Sequence, residues 1–287
     1  MSLNTLEEIA SYIVSDGKGI LAADESNPTC GKRFDSIGVE SNEDNRRDYR
    51  EMLFRSSGMK DNIGGVILFD ETIRQNAKDG TSLVDIISNQ GALPGIKVDK
   101  GLQPFGDLDE TVTIGLDGLD ERLKEYVSIG AKFTKWRAVI KIGDGMPTQE
   151  CIDANMKALA DYAKIVQDNG MVPMVEPEVL MDGSHSIEDC YDASDRSLKS
   201  LFKHLADNEV NIRGTILKPN MVTSGSNCNQ QADIDKVARK TLDCLIANVP
   251  SELPGITFLS GGQSDILATA HLDAMNKIGG FDWKLSF

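Results

Sequence analysis

The chain is poor in the residue types that hold metals and staple small folds. It has three histidines, His185, His204 and His271, in 287 residues. None stands at metal-ligand spacing from another or from a cysteine, so no zinc or iron site is expected. The five cysteines are scattered singly, odd in number and without a CxxC pair. That excludes a disulfide framework and fits reduced thiols in a cytosolic setting. No apolar run is long enough to span a bilayer. The acidic N-terminus has no apolar core of the kind a signal peptide needs, which leaves a plastid location open beside the cytoplasm. Positive charge is also scarce. A formal net charge of −15 would repel nucleic acid and anionic membrane alike. Linkers rich in Gly, Ser or Pro, short repeats and low-complexity segments are missing too, so the whole of 1–287 reads as one domain.

What is present is an alternation of strand-like and helix-like runs. Strands are predicted over 19–24, 65–70, 93–99, 133–140, 171–178, 213–218, 256–259 and 283–287. The clearest helix carries Ile152, Met156, Leu159, Ala163 and Val166 on one face at the 3.6-residue period. Thr148 is placed to cap it and Gly170 to stop it. A second carries Ile234, Val237, Ala238, Leu242 and Leu245, and a third starts after Ser264 and ends near Gly279. Strand–helix alternation implies a parallel sheet. Eight strands at this length point to an α/β fold of the (β/α)₈ TIM barrel type, which typically takes about 250 residues. A doubly wound open sheet is the rival, but no GxGxxG follows the first strand. The eighth strand is the last element, so the barrel is expected to be truncated there, without an eighth helix.

Catalytic groups in such a barrel sit at the carboxyl ends of the strands. Lys218 ends the apolar approach Thr215-Ile216-Leu217 and is followed by Pro219. Burial there lowers an amine's pKa, and a neutral amine attacks carbonyls to form Schiff bases. A lysine reaching past the strand end into solvent would look the same locally, so its neighbours must decide. Lys135 and Arg137 share a face of the fourth strand, and Glu176 and Glu178 a face of the fifth. Such charges are too costly to bury singly and cluster at active sites. Lys135 close to Lys218 would depress its pKa further. Glu176 is placed to carry protons for imine formation, Glu178 to orient the amines, and Asp24 of the first strand to take a proton from a substrate hydroxyl. A protonated imine is an electron sink, so this set can cleave a carbon–carbon bond without metal or cofactor. Ser260-Gly261-Gly262 after the seventh strand can bring backbone N–H groups to a phosphate. Trp136 is expected to pack outward, His185 to lie in a loop before a helix, and Arg46 and Arg47 to belong to a solvated helix face.

Leu21-Ala22-Ala23-Asp24-Glu25-Ser26, Gly95-Ile96-Lys97-Val98-Asp99-Lys100-Gly101, Lys135-Trp136-Arg137, Val175-Glu176-Pro177-Glu178, Leu217-Lys218-Pro219-Asn220 and Leu259-Ser260-Gly261-Gly262-Gln263-Ser264 together resemble class I fructose-bisphosphate aldolase. The resemblance implies a (β/α)₈ barrel, usually a homotetramer, that reversibly cleaves fructose 1,6-bisphosphate to dihydroxyacetone phosphate and glyceraldehyde 3-phosphate. It makes Lys218 the Schiff-base lysine, Glu176 its acid/base and Asp24 the residue of carbon–carbon cleavage, with Lys135 and Glu178 assisting. It assigns Ser260 and Gly261 to the phosphate nearer the imine, and Ser26, Arg33 and Lys97 to the distal end. Asn27-Pro28-Thr29-Cys30 departs from the small Gly/Ser stretch of the animal enzymes but keeps a hydroxyl at Thr29. Family members also continue past the position of Phe287 into a phosphate-binding turn, a helix and a tail, and weaker phosphate binding with slow turnover is the expectation for a chain without them. A sister Schiff-base aldolase acting on another sugar phosphate, and a low-activity scaffold, are the alternatives.

Overall fold

The computed structural model describes residues 3–287. Eight strands pair in parallel to form the barrel wall: β1 (Gly19–Ala23), β2 (Ile63–Leu68), β3 (Leu93–Lys97), β6 (Phe133–Ile140), β7 (Val172–Val179), β8 (Ile216–Leu217), β9 (Gly255–Thr257) and β10 (Lys284–Ser286). A hairpin of β4 (Leu102–Phe105) and β5 (Glu110–Thr113) is inserted between the third and fourth barrel strands. The eighth barrel strand forms where expected. β10 forms and pairs with β9, and the Ile20 amide donates to the Phe287 carbonyl at 2.7 Å, so the ring is nearly closed.

Helices α1 (Leu6–Ile13), α2 (Asn27–Asp35), α3 (Glu43–Phe54), α4 (Met59–Asn62), α5 (Asp70–Ile73), α6 (Leu83–Asn89), α7 (Leu119–Ile129), α8 (Gln149–Asp168), α9 (Ile187–Asp207), α10 (Ile234–Asn248) and α11 (Asp265–Ile278) fill the connections. The predicted face of α8 is wholly buried, and the Thr148 hydroxyl accepts from the Cys151 amide at 3.2 Å. Gly170 takes the left-handed backbone that ends this helix. Ser264 caps α11, which stops at Gly279 as expected. Ile234, counted on the inner face of α10, is instead exposed at its first turn.

The barrel interior has two levels. The lower level is apolar: Ile67, Phe133, Val172, Met174 and Ile216 meet Ile9, Ala10, Ile13 and Val14. Helix α1, whose role the sequence pattern did not reveal, therefore plugs the amino-terminal end. The Phe133 ring lies over β3 and β2 because Gly95 and Gly65 leave it room; a Cβ added at Gly95 would drive into the ring. One step up β3, β6, β7 and β8 the inward residues become charged, at Lys97, Lys135, Glu176 and Lys218. Outward residues such as Trp136, Ala138 and Val175 pack beneath the helices in the larger core. Trp136 lies against Tyr162 of α8 with ring centroids 5.4 Å apart.

Two expectations need correction. The hairpin was not foreseen; it is secured from α8, where Asn155 Nδ2 donates to the Thr111 carbonyl at 2.8 Å, and by Glu110, which accepts from the Thr148 amide at 2.8 Å. Nor do Arg46 and Arg47 share a solvated face. Arg46 and Arg50 are buried, Arg46 clamping Glu71 through two bonds of 2.8 and 2.6 Å, and only Arg47 keeps to the rim, paired with Asp44 and Asp48.

Candidate active site

Lys218 stands one residue past β8, because Ile212–Gly214 turn in a 3₁₀ helix and leave only two residues for the strand. Its amide still donates to the Val175 carbonyl at 2.8 Å, which fixes it beside β7. Its side chain is buried, and Nζ donates to Glu176 Oε1 at 2.6 Å. The other oxygen of Glu176 lies 3.1 Å from Lys135 Nζ, and Lys135 Nζ lies 2.8 Å from Asp24 Oδ2. The charges therefore alternate across the barrel, Lys218, Glu176, Lys135, Asp24, with Glu176 and Lys135 inside β7 and β6 and Lys218 and Asp24 just past β8 and β1.

Glu176 and Lys135 stabilise one another's ionised form. Burial alone would push the Glu176 carboxyl up, but the Lys135 and Lys218 ammonium groups outweigh it and hold it down at about 2. Burial alone would lower Lys135, but Glu176 and Asp24 overcome it and hold its pKa well above the usual lysine value. The two lysines do not confront one another bare, as the sequence suggested; a carboxylate lies between them.

The remaining predicted residues fall into smaller sets around this row. Glu178, expected beside the amines, is paired with Arg137. Alternation put both pairs on the correct faces, but it could not tell which carboxylate meets which cation. Lys97 Nζ lies 2.6 Å from Asp99 Oδ1. Arg33 pairs with Glu25, and the Ser26 and Thr29 hydroxyls lie 3.0 Å apart. Asp24, Ser26, Thr29, Arg33, Lys97, Lys135 and Arg137 line one cleft of about 420 Å³. Ser260, Gly261 and Gly262 form a turn after β9, with both glycines in the left-handed region at φ +63 and +91. The Leu259 amide donates to the Pro219 carbonyl at 3.1 Å, tying the start of that turn to the Lys218 segment.

Two positioning side chains escaped the sequence reading. Asn220 Oδ1 accepts from the Val179 amide at 2.9 Å while its Nδ2 donates to Ser194 Oγ at 3.1 Å, holding the segment after Lys218 against β7 and α9. The Thr241 hydroxyl accepts from the Val222 amide at 2.9 Å. Both replace ladder bonds that so short a strand cannot make. Asn after Lys-Pro was visible as a turn former, but its partners lie 26 to 41 residues away. His185 does precede α9 as expected, though it is buried, and burial lowers its pKa. Among the described residues no group of three or more His, Cys, Asp or Glu is placed to hold a metal ion, and no helix is long and apolar enough to cross a membrane.

This arrangement has close counterparts. The family profile described as "Fructose-bisphosphate aldolase class-I" matches residues 5–287. A "Probable fructose-bisphosphate aldolase class 1" of Xanthomonas axonopodis pv. citri is 54% identical over 288 residues, covering 100% of this chain and 86% of the relative. "Fructose-bisphosphate aldolase 4, cytosolic" of Arabidopsis thaliana is 50% identical over 280 residues, covering 97% of this chain and 71% of the relative. Among solved structures, a fructose-bisphosphate aldolase from Plasmodium falciparum, crystallised with TRAP and a small molecule inhibitor, superposes with a TM-score of 0.96 at 46% identity, covering 98% of this chain and 82% of that one. The barrel, the buried lysine–carboxylate row and this extent of match lead to one conclusion: the chain belongs to the class I fructose-bisphosphate aldolase family.

Proposed function

We propose that Lys218 is the amine that forms the Schiff base, with Glu176 as its proton carrier, Asp24 as the base of carbon–carbon cleavage and Lys135 as the cation that pairs with both carboxylates. The reaction is the reversible cleavage of fructose 1,6-bisphosphate to dihydroxyacetone phosphate and glyceraldehyde 3-phosphate. The observation that carries this reading is the Glu176 carboxylate bridging two buried lysines, one of them 2.6 Å away at the end of β8.

The chemistry follows from that bridge. Lys218 passes its ammonium proton to Glu176 and attacks the ketose carbonyl as a neutral amine. Losing that charge removes one of the two cations that hold Glu176 low, so its proton affinity rises in the step in which it must accept the proton. The carbinolamine hydroxyl then takes the proton back from Glu176 and leaves as water, giving a protonated imine. Asp24 removes the proton of the hydroxyl on C4, the C3–C4 electron pair flows into the imine to give an enamine, and the aldehyde departs. Lys135 stays charged throughout and compensates both carboxylates.

Ser260, Gly261 and Gly262 are read as the binder of the phosphate nearer the imine. Ser26, Thr29, Arg33, Lys97 and Arg137 are read as the binders of the distal end. Phosphate must there compete with Glu25, Asp99 and Glu178 for the cations. Glu178 acts by holding Arg137 rather than by touching the amines. The same reading makes 1–287 one barrel domain, acting in the cytoplasm as a homo-oligomer. The intact row from Lys218 to Asp24 favours this over a silent scaffold.

Borohydride added with dihydroxyacetone phosphate tests the proposal. One covalent adduct per chain, mapped to the peptide that contains Lys218 and lost in Lys218→Met, is the expected result. Label on another lysine, or none, refutes the assignment.

A further inference from the structure

Outside the charged row, the most deeply buried cation is Arg50 of α3, whose side chain is wholly inaccessible to solvent. Its surroundings are unusual for a guanidinium. It makes no close carboxylate pair: Glu25 Oε2 and Glu71 Oε1 both lie 3.9 Å from it. Its short bonds go to backbone instead. Nε donates to the Ala23 carbonyl at 3.1 Å and Nη2 to the Glu25 carbonyl at 2.6 Å. Those are the carbonyls on either side of Asp24.

The chain needs such support at that point. Pairing between β1 and β2 ends at Ala23 and Leu68, so Asp24 and Glu25 have no ladder to fix them. The planar, forked guanidinium reaches two carbonyls at once, which a lysine ammonium on its single nitrogen does less well. It does so from the α3 side, while the Asp24 carboxylate projects to Lys135 inside the barrel. Arg46 holds Glu71 through two bonds, so the carboxylate nearest Arg50 Nη1 is itself fixed.

We propose that Arg50 is a positioning residue for carbon–carbon cleavage: it clamps the backbone on both sides of Asp24 and so aims that carboxylate at the substrate hydroxyl, without a part in imine formation. The inference rests on the role given above to Asp24.

The test separates the two halves of the reaction in the full chain. Arg50→Lys and Arg50→Gln are compared with Asp24→Asn as reference. Each is measured for borohydride trapping of dihydroxyacetone phosphate on Lys218 and for kcat and KM of fructose 1,6-bisphosphate cleavage. The Arg50 variants should keep trapping within about 2-fold of the parent, keep KM within about 3-fold, and lose about 10- to 100-fold in kcat, the scale of an ångström-sized misplacement. Lys, which retains the charge, should lose less than Gln. Asp24→Asn should show the same split with a larger loss. Unchanged cleavage, or loss of trapping and cleavage in equal proportion, in the Arg50 variants beside an Asp24→Asn that does split the two steps overturns the positioning role alone. Full cleavage by Asp24→Asn overturns the reading of Asp24 and this inference with it. Should the Arg50 variants not fold, Glu71→Gln leaves Arg50 in place but loosens its support. A smaller split of about 3-fold in kcat with trapping retained is then expected, and a proportional loss or no loss overturns the proposal.

Discussion

Glu176, the proposed proton carrier, also ties the fold together through its two lysines. Two ammonium groups hold its carboxyl at about 2, against an ordinary 4.5. A carboxyl lowered on folding stabilises the fold above its unfolded pKa and loses that contribution as pH falls through 4.5 toward 2. The difference corresponds to on the order of 3 kcal/mol. Urea unfolding between pH 6 and pH 2.5 should show this loss, and Glu176→Gln should flatten that part of the profile while being less stable than the parent at pH 7, where it leaves Lys135 and Lys218 underpaired. Lys218→Arg keeps the charge and the pairing but removes the proposed nucleophile. Its stability should stay within about 1 kcal/mol of the parent, while turnover falls by at least about a thousand-fold. Retention of activity in steady-state assays of that variant would remove Lys218 from the mechanism. Lys218, Glu176, Lys135 and Asp24 were all legible as candidates, because charged residues at the ends of apolar strands are conspicuous. Which pairs form was not. Glu178 and Glu176 are two residues apart on one face, and only the stagger of β6 against β7 gives one to Arg137 and the other to the lysines.

At the scale of the element, legibility followed periodicity. The inner face of α8 repeats cleanly over 20 residues and was read to its cap and stop. The β4–β5 hairpin spans four residues a side and has mixed burial, so no periodic signal rises above the background. β8 was read too long, because apolar composition does not show where the 3₁₀ turn ends. Small residues in strands carried information that only packing explains. Gly95→Ala would press its methyl against the Phe133 ring and should destabilise the protein by about 1–3 kcal/mol. Adding Phe133→Leu should recover much of the loss despite the smaller core residue, as measured by thermal unfolding. An additive double variant would show that the two positions do not share the space.

Over the whole molecule the barrel separates stability from chemistry. The amino-terminal half of the interior is apolar and plugged by α1; the carboxyl-terminal half is charged. Ile13 is wholly buried in that plug. Ile13→Ala should cost about 2–5 kcal/mol in unfolding free energy and leave kcat within about 2-fold, since it lies at the opposite end from Lys218. A large loss of kcat without loss of stability would mean the two halves are coupled. The buried cations and carboxylates nearly cancel, so the net charge of −15 is carried by residues that are not buried. In the cleft proposed for the distal phosphate, Lys97, Arg137 and Arg33 each have a carboxylate beside them, so the proposed anion capture would be a local exchange of partners rather than attraction by the protein's overall field.

The sequence by itself determined the alternation of strands and helices, the barrel they imply, the order of the charged strand ends, and through them the family. Those properties are local: period, composition and motif are written in consecutive residues. The tertiary structure alone decided that Glu176 lies between two lysines, that Arg137 takes Glu178, that α1 closes the barrel floor, and that Arg50 is buried behind Asp24. Each of these joins residues dozens of positions apart. Burial then makes each partner matter, because a charge removed from water must find its counter-charge or hydrogen bonds in whatever the fold brings near.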